Sequence, residues 1–476
     1  MKNRKYVTIA LLLCSTLILQ AAKVNKFFNI RVNNETRKYL LYVPTNVVDN
    51  APLVISLHGA GGTVSTSSHD PDFNSLADRD GFIVAYPQGK NTVFPGLGGM
   101  SAPGWTSTGE ENFDTDFLKA VVEDVAEKYT IDRQRLYCCG FSNGGMMTYV
   151  MANTCSHIFA AFAAISGYPI NEFHLHHTSW RPVPFLHIHG KADDFVKYSL
   201  VPNVIDNMVA RNGANPVPKK TTKSGKYTKS VYEAGAGGFP VIFYEIDGMG
   251  HEPFTNKTED NSSSKTMWNF FQQYTLDSPC DTTLKWRPRI ETEGYDAKKH
   301  GWTLNSGTTL LKFGGTQKTD GNQNVYRSLQ FITGKYKLCF KSAGEPTATI
   351  GVKIQKLTGR KNTVLDATVN VGVDAELPFE VTDGWGEYKI TFIRPSATDE
   401  ITVTDIAIYS AKDGETTGIA PLLSPLGGRQ DVRIYDLQGR RIGNAQCTMH
   451  NSQCTIHNSQ LKKGVYIVNG KKIVRH

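Results

Sequence analysis

Three short segments of this chain hold the residue types that a hydroxyl nucleophile needs. Gly140-Phe141-Ser142-Asn143-Gly144 sets a serine between glycines, His189-Gly190-Lys191-Ala192-Asp193-Asp194 offers carboxylates, and Asp247-Gly248-Met249-Gly250-His251 offers a histidine on a Gly-rich stretch. A serine hydroxyl is a weak nucleophile until an imidazole takes its proton and a carboxylate orients that imidazole. The order Ser, Asp, His along the chain is the one used where the serine sits on a sharp strand-to-helix turn. Ser142 is therefore the candidate nucleophile, Asp193 the orienting acid with Asp194 as its rival, and His251 the general base. Acyl transfer by such a set requires no metal and no organic cofactor.

These side chains have to be presented from the ends of regular elements. Arg135–Cys139 reads as a buried strand before the serine, and Met146–Met151 suits the start of a helix after it. Glycines belong on both sides because the serine backbone is strained and its neighbours pack without room for a Cβ. Pro184–Ile188 and Val241–Ile246 read as strands, so Asp193 and His251 follow strand C-termini, where ligands sit in open parallel sheets. Leu53–Leu57 is a continuous apolar run, as for a strand covered on both faces. It leads into His58-Gly59-Ala60-Gly61-Gly62, a loop able to aim a backbone N–H at a developing oxyanion, with the N–H of Asn143 as second donor. His58 precedes the serine and reads as an anchor of that loop by a hydrogen bond. The expected architecture is α/β, a mostly parallel sheet with helices on both faces.

From about Arg37 to Tyr274 the chain resembles the secreted esterase family that includes polyhydroxybutyrate depolymerases, feruloyl esterases and acetyl xylan esterases, with the α/β-hydrolase fold. The matching stretches are Leu57–Thr63, Tyr86-Pro87-Gln88-Gly89, Gly104-Trp105, Asp114–Phe117, Gly140–Met147, His189–Val196 and Gly248–His251. The resemblance implies Ser142, Asp193 and His251 as the triad, Ala60 and Asn143 as oxyanion donors, and Gly61 and Trp105 as substrate contacts. It implies a serine carboxylesterase, and the company of a sandwich and an export signal, described below, favours feruloyl or acetyl esters of plant polysaccharide such as xylan. Polyhydroxybutyrate is the alternative substrate, and a degenerate, purely carbohydrate-binding surface protein is the rival of another class. Two departures stand out. Many members have a tryptophan two residues after the histidine where this chain reads His251-Glu252-Pro253-Phe254, and many have a cysteine where it reads Asn212-Gly213-Ala214-Asn215.

At 476 residues, with 40% hydrophobic and 20% charged residues, the chain has a globular composition and room for two or three domains. Residues 1–22 read as a signal peptide, with a basic head, an apolar core too short to span a bilayer, and small residues at its end. No membrane-spanning segment is expected in the mature chain. The formal charge of +8 resides at the two ends, in Lys2, Arg4 and Lys5 and in Lys462, Lys463, Lys471, Lys472 and Arg475, leaving 23–460 neutral. Nothing in that distribution suits nucleic acid. Of eight cysteines, Cys14 falls in the leader, so seven enter an oxidising compartment and at least one has no partner within the chain. Cys138 and Cys139 alternate faces of one strand and read as buried thiols.

The hydrolase is expected over 23–278 and an antiparallel β-sandwich over 283–410, where alternating runs such as Thr349–Ile354 and Tyr388–Phe392 begin. That segment resembles carbohydrate-binding jelly rolls, with Trp302, Trp385 and Tyr295 as rings that would either stack on sugar or fill the core. A linker over 411–428 leads to 429–476, whose blocks Val432–Arg441 and Lys462–Lys472 resemble the C-terminal sorting domain of the bacterial type IX secretion system. This implies passage to the cell surface or medium. Between the blocks, Gln446–Ser452 is repeated as Gln453–Ser459, read as a duplication inside a hairpin. His174, His176 and His177 read as part of a lid or cleft wall.

Overall fold

The computed structural model describes residues 22–64, 71–94, 99–107, 112–169, 181–304, 324–357, 362–382, 386–393 and 401–411, two short strands at Thr308–Thr309 and Lys312–Phe313, and five strands beyond 429. The expected leader and linker fall outside these residues, apart from Ala22 and Ala411.

The first strands, β1 (Val24–Val32) and β2 (Glu35–Val43), form a hairpin whose two-residue turn needs positive φ at both positions; Asn33 and Asn34 supply it at 50° and 64°. Next come β3 (Ala51–Leu57), α1 (Asn74–Asp80), β4 (Ile83–Pro87) and a small hairpin of β5 (Lys90–Phe94) and β6 (Met100–Gly104). Helix α2 (Phe113–Lys128) starts at Asn112, whose side chain accepts from the amides of Asp114 and Thr115 in a capping box. Strand β7 (Ile131–Phe141) runs into α3 (Asn143–Thr154), followed by β8 (Ala161–Ile165), β9 (Phe185–Gly190) and α4 (Val201–Arg211). The edge strands β10 (Lys219–Lys223) and β11 (Tyr227–Tyr232) precede β12 (Val241–Ile246) and α5 (Ser263–Phe271). Helix α3 begins three residues before the run at Met146 that marks it in the sequence.

These strands make one ten-stranded sheet in the order β1-β2-β4-β3-β7-β8-β9-β12-β11-β10. The six strands from β4 to β12 are parallel, and antiparallel hairpins close both edges. Two apolar clusters lie on the two faces: Phe117, Val121, Met147, Val204 and Met208 belong to one, Phe73, Ala77, Trp268 and Phe271 to the other. The chain has the α/β-hydrolase fold expected from its sequence. Strands β3, β4, β8 and β9 at the centre of the sheet are buried throughout, so the candidate functional groups are offered from the C-terminal ends of the parallel strands.

Strand β13 (Leu284–Trp286) leaves the hydrolase and pairs with Ile401–Ser410, in the first of two antiparallel sheets that face each other across one core. Sequence reasoning separates 23–278 from 283–410, whereas the structure joins them in one compact unit, 1–417. Contacts at α4 explain the difference. The amide of Arg287 donates to the Ala210 carbonyl at 2.6 Å, Ala210 belongs to the apolar core of the sandwich, and buried Arg327 donates to Asn207 Oδ1 at 2.6 Å and to the His300 carbonyl. Trp302 and Tyr295, at 3% and 4% exposure, are core residues joined by an indole-to-hydroxyl hydrogen bond of 2.8 Å, so neither offers a surface to sugar. Trp385 lies outside the described residues.

The second unit, 418–476, contains a five-stranded antiparallel sheet. Its tandem repeat folds back on itself, with Arg441–His450 against Gln453–His457 in a register that places Cys447 opposite Ile456 and Met449 opposite Cys454. No helix among the described residues is long and apolar enough to cross a membrane.

Candidate active site

Strand β7 stops and α3 starts within one residue, and Ser142 makes the corner at φ 53°, ψ −120°. A non-glycine residue there is strained, and the surroundings fix it. Its amide donates to the Ile165 carbonyl at 2.9 Å, and its own carbonyl accepts from the Met146 amide at 2.9 Å. The glycines around it answer to contact. A Cβ on Gly140 would lie 2.4 Å from Gly144, one on Gly144 would lie 2.3 Å from the Leu57 carbonyl oxygen, and one on Gly167 would lie 2.1 Å from the Ser142 carbonyl oxygen.

Residues from three strand ends meet at this corner. His251 Nε2 is 2.8 Å from Ser142 Oγ, and His251 Nδ1 is 2.9 Å from Asp193 Oδ2. Asp193 is 2% exposed, and its other oxygen accepts from the amides of Phe195 and Val196 at 3.0 and 2.9 Å; Asp194 is exposed. Burial would raise the Asp193 pKa, but hydrogen bonds from His189, His251 and the Val196 amide outweigh it and hold the carboxyl well below the usual range. The acid stays ionised and His251 keeps Nδ1–H directed at it, which leaves Nε2 to accept the serine proton. Gly190 is required for this approach, since a Cβ there would lie 2.1 Å from the Met249 carbonyl oxygen on the loop that carries His251.

The loop after β3 passes over the same corner: a Cβ on Gly59 would lie 3.3 Å from Ser142 Cβ. His58 holds the loop from within. Its Nε2 accepts from the Gly89 amide at 2.9 Å, so Nδ1 carries the hydrogen and donates to the Gly59 carbonyl at 2.7 Å. Burial lowers its pKa, in keeping with a neutral structural ring. Ala60 follows on this loop, half-buried, and Asn143 supplies the first amide of α3, a position without an intrahelical partner. The Gly61 amide is taken by the Pro103 carbonyl at 2.7 Å, so this exposed residue does not offer that N–H to a substrate.

Trp105 is placed otherwise than as a substrate contact. Its ring is 1% exposed, its indole N–H donates to the His58 carbonyl at 2.9 Å, and its backbone exchanges two hydrogen bonds with the Asn143 side chain at 2.6 and 3.1 Å. It is a strut that ties the loop after β3 to the first residue of α3. Gln88 helps, binding the Val64 amide and the Gly62 carbonyl. Neither role is signalled by spacing, because both depend on strands distant in the chain.

Two aromatic side chains on the segments that follow Asp193 and His251 are exposed: Phe195, at 58%, with its ring centroid 4.8 Å from that of His251, and Phe254, at 65%. Phe141 covers the histidine ring at 4.9 Å. The His174, His176 and His177 cluster lies outside the described residues. Cys138, Cys139 and Cys155 are buried, and Cys280 and Cys339 are half-buried.

Comparison with known proteins places these features. Residues 37–194 match the family described as esterase PHB depolymerase, and residues 423–473 match the secretion system C-terminal sorting domain. The chain is similar to the bifunctional acetylxylan esterase/xylanase of Neocallimastix patriciarum, at 30% identity over 247 residues, 50% of this chain and 33% of that one. It is also similar to feruloyl esterase B of Neurospora crassa, at 34% identity over 146 residues, 31% of this chain and 49% of that one. The chain thus spans a third to a half of the length of these relatives. Among solved structures, the acetyl xylan esterase from Aspergillus awamori aligns with 52% of this chain and 99% of its own at 19% identity and a TM-score of 0.39. Over residues 37–194 the chain is thus similar to the esterase PHB depolymerase family, and over residues 423–473 to a secretion system C-terminal sorting domain.

Proposed function

We propose that this protein is a serine carboxylesterase that removes feruloyl or acetyl groups from plant polysaccharide such as xylan. The observation that carries the reading is the unbroken line from Ser142 Oγ through His251 to the Asp193 carboxylate, at 2.8 and 2.9 Å. His251 Nε2 takes the serine proton as Oγ attacks the ester carbonyl, and Asp193 stabilises the imidazolium that forms. The amides of Ala60 and Asn143 donate to the tetrahedral oxyanion. The imidazolium then protonates the leaving alcohol, and water activated by the same ring releases the acid from the acyl-enzyme.

The names of the relatives support the xylan and feruloyl substrates, and exposed Phe195 beside the base gives a flat apolar surface suited to a sugar or aryl ring. The family description over 37–194 favours a second reading, polyhydroxybutyrate hydrolysis by the same chemistry. The sorting domain supports export through type IX machinery to the surface or medium. The full chain and its Ser142→Ala variant, assayed on methyl ferulate, acetylated xylan and a polyhydroxybutyrate film, test these readings. Serine-dependent release of ferulate or acetate is expected. Activity on the film alone selects the second reading, and hydrolysis unchanged in Ser142→Ala overturns both.

A further inference from the structure

Behind the acid, a set of buried polar side chains runs away from the substrate side. His187 and His189, two apart on β9, share one face of the strand, are 0% exposed, and stack with ring centroids 5.3 Å apart. Tyr149 of α3, also 0% exposed, has its hydroxyl 2.8 Å from His187 Nδ1; His187 Nε2 is 3.1 Å from His189 Nδ1. His189 Nε2 is 2.8 Å from the Val196 carbonyl oxygen and 3.4 Å from Asp193 Oδ2. With neutral rings, one arrangement of protons satisfies every contact. Val196 O and Asp193 Oδ2 only accept, so His189 Nε2 carries the hydrogen; His189 Nδ1 then accepts from His187 Nε2–H, and His187 Nδ1 accepts from the Tyr149 hydroxyl. The donors all run toward the acid: His189 Nε2–H has the Val196 carbonyl as its nearer acceptor and Asp193 Oδ2, the oxygen that receives His251 Nδ1–H, as its second.

We propose that Tyr149, His187 and His189 are positioning residues for the candidate acid: a one-way hydrogen-bond chain that sets the orientation and basicity of Asp193, and through it the pH range in which His251 works. The inference rests on the Ser142–His251–Asp193 reading. The groups that face the chain are consistent with this direction. Burial, and then His189, hold the His187 pKa well below the imidazole range, so that ring is a neutral link. Burial raises the Tyr149 pKa well above the phenol range, with the charge of buried Arg211 opposing it, so the hydroxyl keeps its hydrogen and can donate to His187. Beside His189 lie the rings of Tyr168 and Tyr198, with the Tyr198 hydroxyl committed to Glu245, and beside His187 lies Phe243. A role in packing alone needs no polar atoms here, since apolar residues of the same volume would avoid the cost of desolvating three polar groups.

A carboxylate that loses a donor becomes more basic and holds the imidazolium of His251 more firmly, so the acid limb of kcat/KM moves to higher pH. In the full-length protein, His187→Phe is expected to shift that limb up by about one pH unit. It should also lower kcat for 4-nitrophenyl acetate about tenfold with KM unchanged. His187→Gln, whose amide both accepts from Tyr149 and donates to His189 Nδ1, is expected to bring the limb back. An unmoved limb in His187→Phe overturns the proposal whatever its melting temperature, and so does a Gln variant displaced as far as Phe. Should His187→Phe not fold, Tyr149→Phe deletes a single hydroxyl and is read the same way: a limb displaced upward supports the chain and an unmoved one overturns it. Ser142→Ala separates the two levels. If that variant is inactive while the limb of the chain variants stays put, only the chain is wrong; if it remains active, the triad reading beneath the chain is wrong.

Discussion

In β3 every residue from Ala51 to Leu57 is buried, whereas in the sandwich strand Thr349–Lys356 half-buried and buried residues alternate without a break. The first pattern belongs to a strand covered on both faces and the second to one with a single face inward. A strand sealed on both sides can deliver chemistry only at its end, and the end of β3, the corner after β7 and the loops after β9 and β12 hold the candidate site. The sandwich uses its rings as filling: Trp286, Trp302, Tyr336, Phe379 and Tyr388 are all within one core. Aromatic content alone therefore says little about binding. What distinguishes the two regions is where the chain is forced into close approach, as at Gly140, Gly144, Gly167 and Gly190.

The sharpest way to break this comparison is to remove the group at the strand end. Ser142→Ala should lower kcat by about 10⁶-fold, measured on methyl ferulate, with little change in melting. Next in size is Gly144→Ala, which would place a methyl 2.3 Å from the Leu57 carbonyl oxygen and 2.6 Å from that of His58. A loss above about 4 kcal/mol is expected, seen as failure to recover soluble protein or a collapsed urea midpoint. The junction between the regions offers a pH test. Lys285 on β13 is 8% exposed, and burial, with Arg211 adding to it, lowers its pKa to about 8. The unfolded chain then holds a proton on this amine, between about pH 8 and the ordinary lysine value, that the folded chain has released, so stability rises with pH across that window. Lys285→Met should abolish the rise and stabilise the protein at pH 7 by about 2 kcal/mol, followed by chemical denaturation across pH. The smallest effect is expected for Gly372→Ala in the sandwich. That residue has φ +84° with no atom within 4 Å of the added methyl, so only backbone strain of about 1 kcal/mol remains.

Much of the site was legible because its parts are local. The elbow, the loop after β3 and the glycines before His251 each announce themselves within five residues, and Asp193 differs from Asp194 by which way the turn directs them. The struts were not legible. Trp105 reaches the His58 carbonyl across 47 positions, and its burial follows from tertiary packing. The pair His187 and His189 carried a signal, two imidazoles at strand spacing on a strand otherwise apolar, which is costly unless they bond each other. On the sandwich side the alternation predicts the fold, but it cannot tell a ring that faces sugar from one that faces the second sheet. The docking of that sandwich on α4 was hidden because Asn207, Ala210 and Arg327 meet only in three dimensions.

That docking bears on where such a chain can be divided. Helix α4 presents Ala210 to the core of the neighbouring module and Asn207 to its buried arginine, so this face of the α/β part has ceased to be a surface. A truncation at residue 282 would leave an apolar scar on one product and strand an arginine on the other. A graft of the α/β part onto a foreign partner must bring the sandwich with it or redesign α4. The chain divides into its two compact units at 417–418 instead, so a cut there separates the second unit and leaves the sandwich docked on α4.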